Sequence, residues 1–512
     1  MLVFLTFALW LLGGLHGALG GILPSFNPLV RSTDLMQTAT SLGQQLSKDA
    51  TIILPSNPLW DEVIARGSYP RVNPGYFVVV EVATESDVQK TVKFANSNGI
   101  PFLVVSGTHG WTKTLNKLQG GIQINMRKLN TSVVSKDGKT ATIGGGTLQW
   151  EATSALFNQS KQAVTGLCEC VSVIGPLLGG GHSMLQSQHG FALDNLVSAR
   201  VVLADGSVTD VSASKNADLF WALRGAGHNY GIVTSFVVKV YDIPAGNQWT
   251  VYSLIYKSDK LEALFSLVNK IDAPSATRPS KLVLAGAITR IPDIDAAQPV
   301  IAYTLSYEGT QAEAEQYAAP FKAIGPAVTT VTTNVNYVQL YTVTGNNLEN
   351  PVCRKDNNIF GSGISLPSWD TAGLRKAFNV FAQASADPRF STSAILTESY
   401  GMNGVRAVDA KTTALAPEER ANPILTTPIF WWEGANPQDA TDAEAYAAKI
   451  KDAMYSGVTA AGGKRHTYVN YAMGEESRAE MYGYEQWRMD KLKSLKSIWD
   501  PKNKFRFYNP II

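Results

Sequence analysis

Pro101-Phe102-Leu103-Val104-Val105-Ser106-Gly107-Thr108-His109-Gly110-Trp111 is the stretch on which the fold turns. The apolar, partly β-branched run from Pro101 to Ser106 predicts a buried strand. It breaks into a turn of small residues that presents one histidine. Gly107 and Gly110 let the backbone turn sharply and approach a ligand closely. Ser106 and Thr108 add hydroxyls at little volume. A strand ending in such a turn can aim backbone N–H groups at phosphates. A plain turn uses the same residues, so the flanking sequence decides.

Upstream, Phe77 to Val82 is short and β-branched, hence a strand. Glu85 to Asn98 carries Val88, Val92 and Ala95 at helical spacing, and Gly99 closes it. The resulting βαβ unit ends at the His109 loop. Gly120 to Met126 predicts another strand. Asp137-Gly138 and Asp205-Gly206 each separate two strand-like runs and predict hairpins. Gly144-Gly145-Gly146 reads as a bend. No G-x-G-x-x-G follows a strand, so a Rossmann dinucleotide site is not supported. From Trp249 the texture changes to alternating strands (Val300 to Ser306) and Ala/Glu-rich helices (Gln311 to Ala319). Tyr468 to Tyr471 returns to a strand-like pattern. Glu485 to Trp499 predicts a helix with Trp487, Leu492, Leu495 and Trp499 as its apolar contacts, stopped by Asp500-Pro501.

The 512 residues are 45% apolar and 17% charged, a globular composition with material for two or three domains. A formal charge of +2 points to no polyanionic partner, and nucleic-acid binding is not expected. Met1 to Gly20 has no charged residue, an apolar core from Leu2 to Leu15, and small residues at Gly17-Ala18-Leu19-Gly20. This reads as a secretory signal, with an N-terminal anchor as the alternative. The core is short for a span, which needs about 20 apolar residues. The sequons at Asn130 and Asn158 fit glycosylation in the secretory route. Three cysteines (Cys168, Cys170 and Cys353) do not build a disulfide scaffold, and the odd count leaves a thiol to explain.

Further motifs follow in a specific order. They are Gly166-Leu167-Cys168-Glu169-Cys170-Val171-Ser172-Val173-Ile174-Gly175, Gly179-Gly180-Gly181-His182, Leu193-Asp194-Asn195-Leu196-Val197, Asp218 to Gly227, and Asn229-Tyr230-Gly231-Ile232-Val233-Thr234. In this order they resemble the FAD-linked oxidases of the berberine bridge enzyme-like group, within the vanillyl-alcohol oxidase superfamily. The resemblance covers roughly Pro70 to Tyr241 and Tyr468 to Pro510, and the segment Leu177 to Val202 looks most like the fungal branch.

The resemblance implies an α+β fold. A two-part, PCMH-type FAD-binding domain (residues 21–245, core about 70–242) would be closed by a C-terminal segment (461–512). A substrate domain on an antiparallel sheet with helices (246–460) would follow the first part, and residues 1–20 would be the signal. It implies FAD bonded to His109, with Cys168 as a candidate second tether. Cys170, two residues on, leaves a bridge to Cys168 or a free thiol as alternatives. The FAD contacts would include Val105, Ser106, Gly107, Thr108, Gly110 and Gly175. Gly179, Gly180 and Gly181, with Gly225 and Gly227, would let the backbone approach the pyrophosphate and ribityl chain. Gly231 and Val233 would meet the adenine end.

Tyr468-Val469-Asn470-Tyr471 resembles the segment lying over the flavin ring. Asn470 would hydrogen-bond there and Tyr471 would take a proton, with Glu398 and Glu433 as unplaced carboxylate candidates. Val171 matches the position that leaves O2 room near the flavin. The implied activity is a secreted oxidase that moves hydride from a small secondary metabolite to FAD, with O2 giving H2O2. A sugar oxidase with Trp431, Trp432 and Tyr400 lining a groove is one alternative. A non-redox cyclase or binding protein with structural FAD is another. Substrate identity and oligomeric state are left open.

Overall fold

The computed structural model describes residues 39–68, 71–274, 277–355 and 358–512. The expected signal, residues 1–20, lies outside them.

Phe77 to Val82 folds as β2 (Tyr76–Glu81), paired with β1 (Thr51–Ile53). The helix Glu85–Ser97 follows, its first turn closed by a Thr84–Asp87 capping box. It leads to β3 (Phe102–Val105), and β4 (Gly121–Asn125) inserts between β2 and β3, parallel to both. Val78, Val80, Ile122 and Ile124 pack with Val88, Val92 and Ala95 of the helix in one core. The apolar spacing read in the sequence is therefore the sheet–helix contact.

Both Asp-Gly hairpins form. β5 (Ser132–Val134) pairs with β6 (Thr140–Gly144), and β8 (Leu196–Val202) pairs with β9 (Val208–Ser212). With β10 (Ile232–Lys239) they make a sheet ordered β5-β6-β10-β8-β9, beside a ribbon of β7 (Lys161–Gln162) and β11 (Tyr241–Asp242). Gly144-Gly145-Gly146 is more than a bend. A Cβ on Gly145 would lie 2.0 Å from the Val233 carbonyl oxygen, and one on Gly146 1.8 Å from that of Met126.

The third sheet is antiparallel, ordered β15 (Val328–Val335), β12 (Trp249–Tyr256), β14 (Val300–Glu308), β13 (Leu282–Thr289), β18 (Ala394–Ser399), β19 (Ile424–Trp432), β16 (Asn358–Gly361), with β17 (Ile364–Leu366) also on β19. Strand alternation divides its residues. Ile395, Ile424, Phe430 and Trp432 join the core with the helices Leu261–Asp272, Thr371–Ala386 and Pro437–Ala460. Leu396, Glu398, Leu425, Thr427, Ile429 and Trp431 face a cavity instead.

The C-terminal chain returns to the first part of the fold. In the helix Gln486–Trp499, Leu492 and Leu495 are buried and the Leu492 carbonyl accepts from Tyr230 Oη at 2.7 Å. Trp487 is 39% exposed, contrary to its expected core role, and its ring lies 4.6 Å from the fully buried Arg488 guanidinium. Tyr468 to Tyr471 is not a strand but ends in a 3₁₀ turn, Val469–Tyr471, in which Tyr471 N–H donates to the Tyr468 carbonyl at 2.8 Å. The turn brings the rings of Tyr468 and Tyr471 within 5.5 Å of each other, whereas an extended chain would separate their faces.

Gly146→Ala should melt well below the parent protein or fail to fold. Its methyl would meet fixed backbone, where overpacking costs about 1–3 kcal/mol or more. Gly462→Ala, with open space but a φ of +76°, is the control and should cost about 1–2 kcal/mol. Thermal unfolding of the two variants gives the comparison, and equal melting points would contradict the packing.

Candidate active site

A cavity of about 400 Å³ lies between the His109 loop, the segment Gly166–Leu178, the open face of the third sheet and the C-terminal segment. Val105 through Gly110 line one wall. Ser106 Oγ donates to the Gly145 carbonyl at 2.7 Å, which ties the loop to the glycine bend. Thr108 holds a φ of +54°, and a Cβ on Gly107 would lie 2.8 Å from the Ser172 amide. His109 stacks on Trp111, and its Nε2 is buried with no hydrogen-bond partner. Burial lowers the imidazole to about 4, so it is neutral and nucleophilic at physiological pH.

Cys168 is the free thiol, and burial pushes it up to about 11. The alternative bridge between Cys168 and Cys170 is not formed. Cys170 is bonded to Cys353, 183 residues away, with Cα atoms at an ordinary 5.7 Å. The partner arrives on a strap from the third sheet's connections. Asn346 O accepts from Glu169 N–H at 3.0 Å, and Glu169 Oε2 accepts from Leu348 N–H at 2.9 Å. Cys168 Sγ sits 3.5 Å from each sulfur of the bridge. An equidistant thiol is side-on to the bond, not in line for exchange, so it stays available. Its sulfur and a His109 ring nitrogen lie within 4.8 Å of each other.

The wall of the third sheet carries Glu398, beside Leu425 on the next strand. Its carboxylate accepts from Tyr400 Oη at 2.8 Å and from Tyr471 Oη at 3.3 Å. Burial raises Glu398, and burial followed by the Glu398 charge raises Tyr400 and Tyr471 well above the usual phenol value. The Tyr471 phenol thus donates to Glu398, the acceptor it faces. Glu433 is exposed beyond the end of β19. Trp431 faces the cavity, while Trp432 points into the helix-packed core.

Asn470 is held in place from three sides. Its Nδ2 donates to the Pro176 carbonyl at 3.0 Å and to Tyr468 Oη at 2.6 Å, and its Oδ1 lies 3.2 Å from His228 Nε2. Cys168, Val171, Gly175, Gly231, Val233 and Tyr468 also line the cavity. Gly179, Gly180 and Gly181 do not. A Cβ there would strike Asn470 Oδ1 at 2.3 Å, the Tyr468 ring at 2.9 Å and Ala192 Cβ at 2.4 Å. Gly225 is likewise pressed on Leu415 and Gly227 on Leu178. These glycines let the C-terminal segment and its neighbours pack closely, which positions Tyr468 and Asn470 rather than a ligand.

Sequence reading missed Arg66, His228 and Tyr508 in the lining. Arg66 is 4% exposed, and its Nε and Nη1 have no partner, while Nη2 reaches the Gly110 carbonyl at 3.5 Å. An unpaired buried guanidinium beside a glycine-rich loop suits an anionic group such as a phosphate. No motif in the sequence marked it.

Comparison with known proteins bears on the same cavity. An FAD binding domain family matches residues 77–212, which include the His109 loop and the Cys168 segment. The FAD-linked oxidoreductase chry5 of Gibberella zeae is 36% identical over 491 residues, 92% of this chain and 94% of that protein. The chain belongs to the FAD-linked oxidoreductase family. Among solved structures, Physcomitrella patens BBE-like 1 superposes with a TM-score of 0.79 at 22% identity, covering 93% of this chain and 99% of that one. Glucooligosaccharide oxidase from Acremonium strictum, whose cofactor is a 6-S-cysteinyl, 8α-N1-histidyl FAD, superposes with a TM-score of 0.75 at 20% identity, covering 91% and 97%. These two likenesses show a shared fold.

The cavity of this FAD-linked oxidoreductase fits its cofactor. The loop amides from Ser106 to Gly110 and the unpaired Arg66 suit the phosphates, and the apolar walls suit an aromatic ring. The cysteine pairing is open to direct test. Digestion without reductant, with free thiols blocked, should yield the Cys170 and Cys353 peptides as one cross-linked mass. A bridge between Cys168 and Cys170 would contradict the strap.

Proposed function

We propose that the protein is a secreted oxidase that holds FAD covalently through His109 and Cys168 and oxidises an apolar small molecule, with O2 as terminal acceptor and H2O2 as product. One observation carries this reading. The two candidate tether atoms lie within 4.8 Å of each other, and the Glu398–Tyr471 pair lines the same cavity. The 8-methyl group and C6 belong to the same benzenoid ring of the flavin, so a neutral imidazole and a thiol this close can serve both positions. The 6-S-cysteinyl, 8α-histidyl linkage in the Acremonium enzyme supports it.

Bound FAD supplies the hydride acceptor. The chain supplies the rest. Apolar walls exclude water and hold the substrate. Glu398 takes the proton that leaves the substrate's hydroxyl or amine, directly or by way of Tyr471, whose phenol passes its own proton to Glu398 as it receives the substrate's. Asn470, braced by Pro176, Tyr468 and His228, orients the ring or the substrate. Val171, small and on the cavity wall, leaves room for O2.

The substrate wall favours an apolar secondary metabolite over an oligosaccharide. Leu396, Leu425, Ile429, Trp111 and Trp431 offer few partners for a run of sugar hydroxyls. Asn130 and Asn158 are both exposed, as glycosylation in the secretory route requires.

Denatured protein on a gel should carry a fluorescent flavin band. His109→Ala and Cys168→Ala should each keep it, and only the double variant should lose it. A wild-type protein with no band would contradict the covalent reading. In Val171→Leu, flavin reduced by light without any substrate should reoxidise in O2 severalfold more slowly than in the parent. An unchanged rate would remove the gating role.

A further inference from the structure

Three sulfurs meet at one wall of the cavity. Cys168 Sγ lies 3.5 Å from Cys170 Sγ and 3.5 Å from Cys353 Sγ. Three cysteines in contact allow three bridges, and each leaves a different sulfur free. The bridge found joins Cys170 to Cys353 and leaves Cys168, the one of the three that lines the cavity. Either alternative would consume that thiol. Distance does not prevent them, since the sulfurs need only close from contact to about 2.05 Å.

Hydrogen bonds already hold this wall from two sides without the bridge. From the helix Gln149–Phe157, Gln149 N–H donates to the Val171 carbonyl at 2.8 Å and Trp150 N–H to the Glu169 carbonyl at 3.3 Å. From the strap side, Asn346 and Leu348 grip Glu169, and Tyr341 Oη donates to the Gly166 carbonyl at 3.0 Å. What the bridge adds is the state of the sulfurs themselves.

We propose that the Cys170–Cys353 bridge guards cofactor attachment: it occupies the two sulfurs that would otherwise oxidise with Cys168, and so reserves Cys168 for C6 of the flavin. Cys170 and Cys353 are positioning residues in this role, and the proposal rests on the reading of Cys168 as a tether. In the attachment, the Cys168 S–H bond breaks and an S–C6 bond forms. The thiol hydrogen and the C6 hydrogen leave as protons, and two electrons pass to the flavin, from which O2 takes them. In the competing reaction, Cys168 and a second thiol lose two protons and two electrons to an oxidant such as glutathione disulfide, and an S–S bond forms. With Cys170 and Cys353 bonded to each other, that second thiol is missing. Only exchange remains, and Cys168 is set against it: it lies side-on to the bond, and burial pushes it up to about 11, which keeps it protonated where exchange needs a thiolate.

Peptide mass spectrometry reads both the flavin and the bridges in flavin-loaded protein purified, with free thiols blocked, from a host that forms disulfides. Unaltered protein should carry flavin on Cys168 and a Cys170–Cys353 bridge. Cys170→Ser frees Cys353 as a rival. It should lose flavin from Cys168 severalfold and gain a Cys168–Cys353 cross-linked peptide. Cys170→Ser combined with Cys353→Ser removes guard and rival together and should recover the Cys168 bond. Full flavin on Cys168 in the single variant overturns the proposal, as does a loss there with no new bridge. A double variant no better than the single, or unable to fold around flavin, also overturns it, because the bridge would then act by holding the wall. Should Cys170→Ser not fold, Cys353→Ser is read in the same way, with Cys170 as the rival and a Cys168–Cys170 bridge as the expected product. Unaltered protein with flavin absent from Cys168 overturns the tether reading itself, and the proposal with it.

Discussion

A charge removed from water must find its partners inside the protein, and the Glu419 carboxylate finds one on each side. His182 comes from the first part of the fold, His466 from the C-terminal return, and Glu419 itself from the connection between two strands of the large sheet. Loss of any one partner leaves a buried charge exposed to nothing, which is far costlier than loss of a surface pair. The cavity exists because these three parts are held in register. Asn509, fully buried, adds a polar counterpart: Thr112 donates to its side chain, which donates to Val469, and its carbonyl accepts from Tyr482. The final residues thus fix the turn that carries Tyr468, Asn470 and Tyr471.

Within that frame the cavity separates neutral from charged groups. At one end, burial keeps the His109 imidazole and the Cys168 thiol uncharged. At another, the phenols of Tyr400 and Tyr471 stay protonated around one carboxylate, Glu398. The unpaired Arg66 guanidinium is a further charge, beside the glycine-rich loop, and would suit a phosphate. Such a division suits a flavin, with apolar walls for the ring and cationic and amide donors for the phosphates. The disulfide strap adds a wall, because Cys353 brings Val352 to the cavity and its backbone to the His109 ring.

Local chemistry was legible in the sequence. The β2–helix–β3 unit, both Asp-Gly hairpins and the His109 loop follow from periodicity and turn residues over fewer than about fifteen positions, where such signals are strong. Cys168, Val171, Asn470 and Tyr471 could be placed because they sit in ordered motifs. What depended on distant pairing could not be read. Cys353 lies 183 residues from Cys170, and no spacing rule links them. Glu398 was one glutamate among several until strand alternation turned it toward Tyr471. Gly179 to Gly181 read as a ligand cradle, since a glycine that admits a phosphate and one that admits an asparagine look alike in sequence. Trp487 read as an apolar contact of its helix, whereas it lies at the surface over the fully buried Arg488 guanidinium.

The central claim is that His109 and Cys168 meet one flavin in this cavity. Mass spectrometry of a proteolytic digest of the flavin-loaded protein tests it most directly. The account predicts one flavin mass joined to both the His109 peptide and the Cys168 peptide. Recovery of both peptides unmodified, from protein that carried stoichiometric flavin before denaturation, would contradict it.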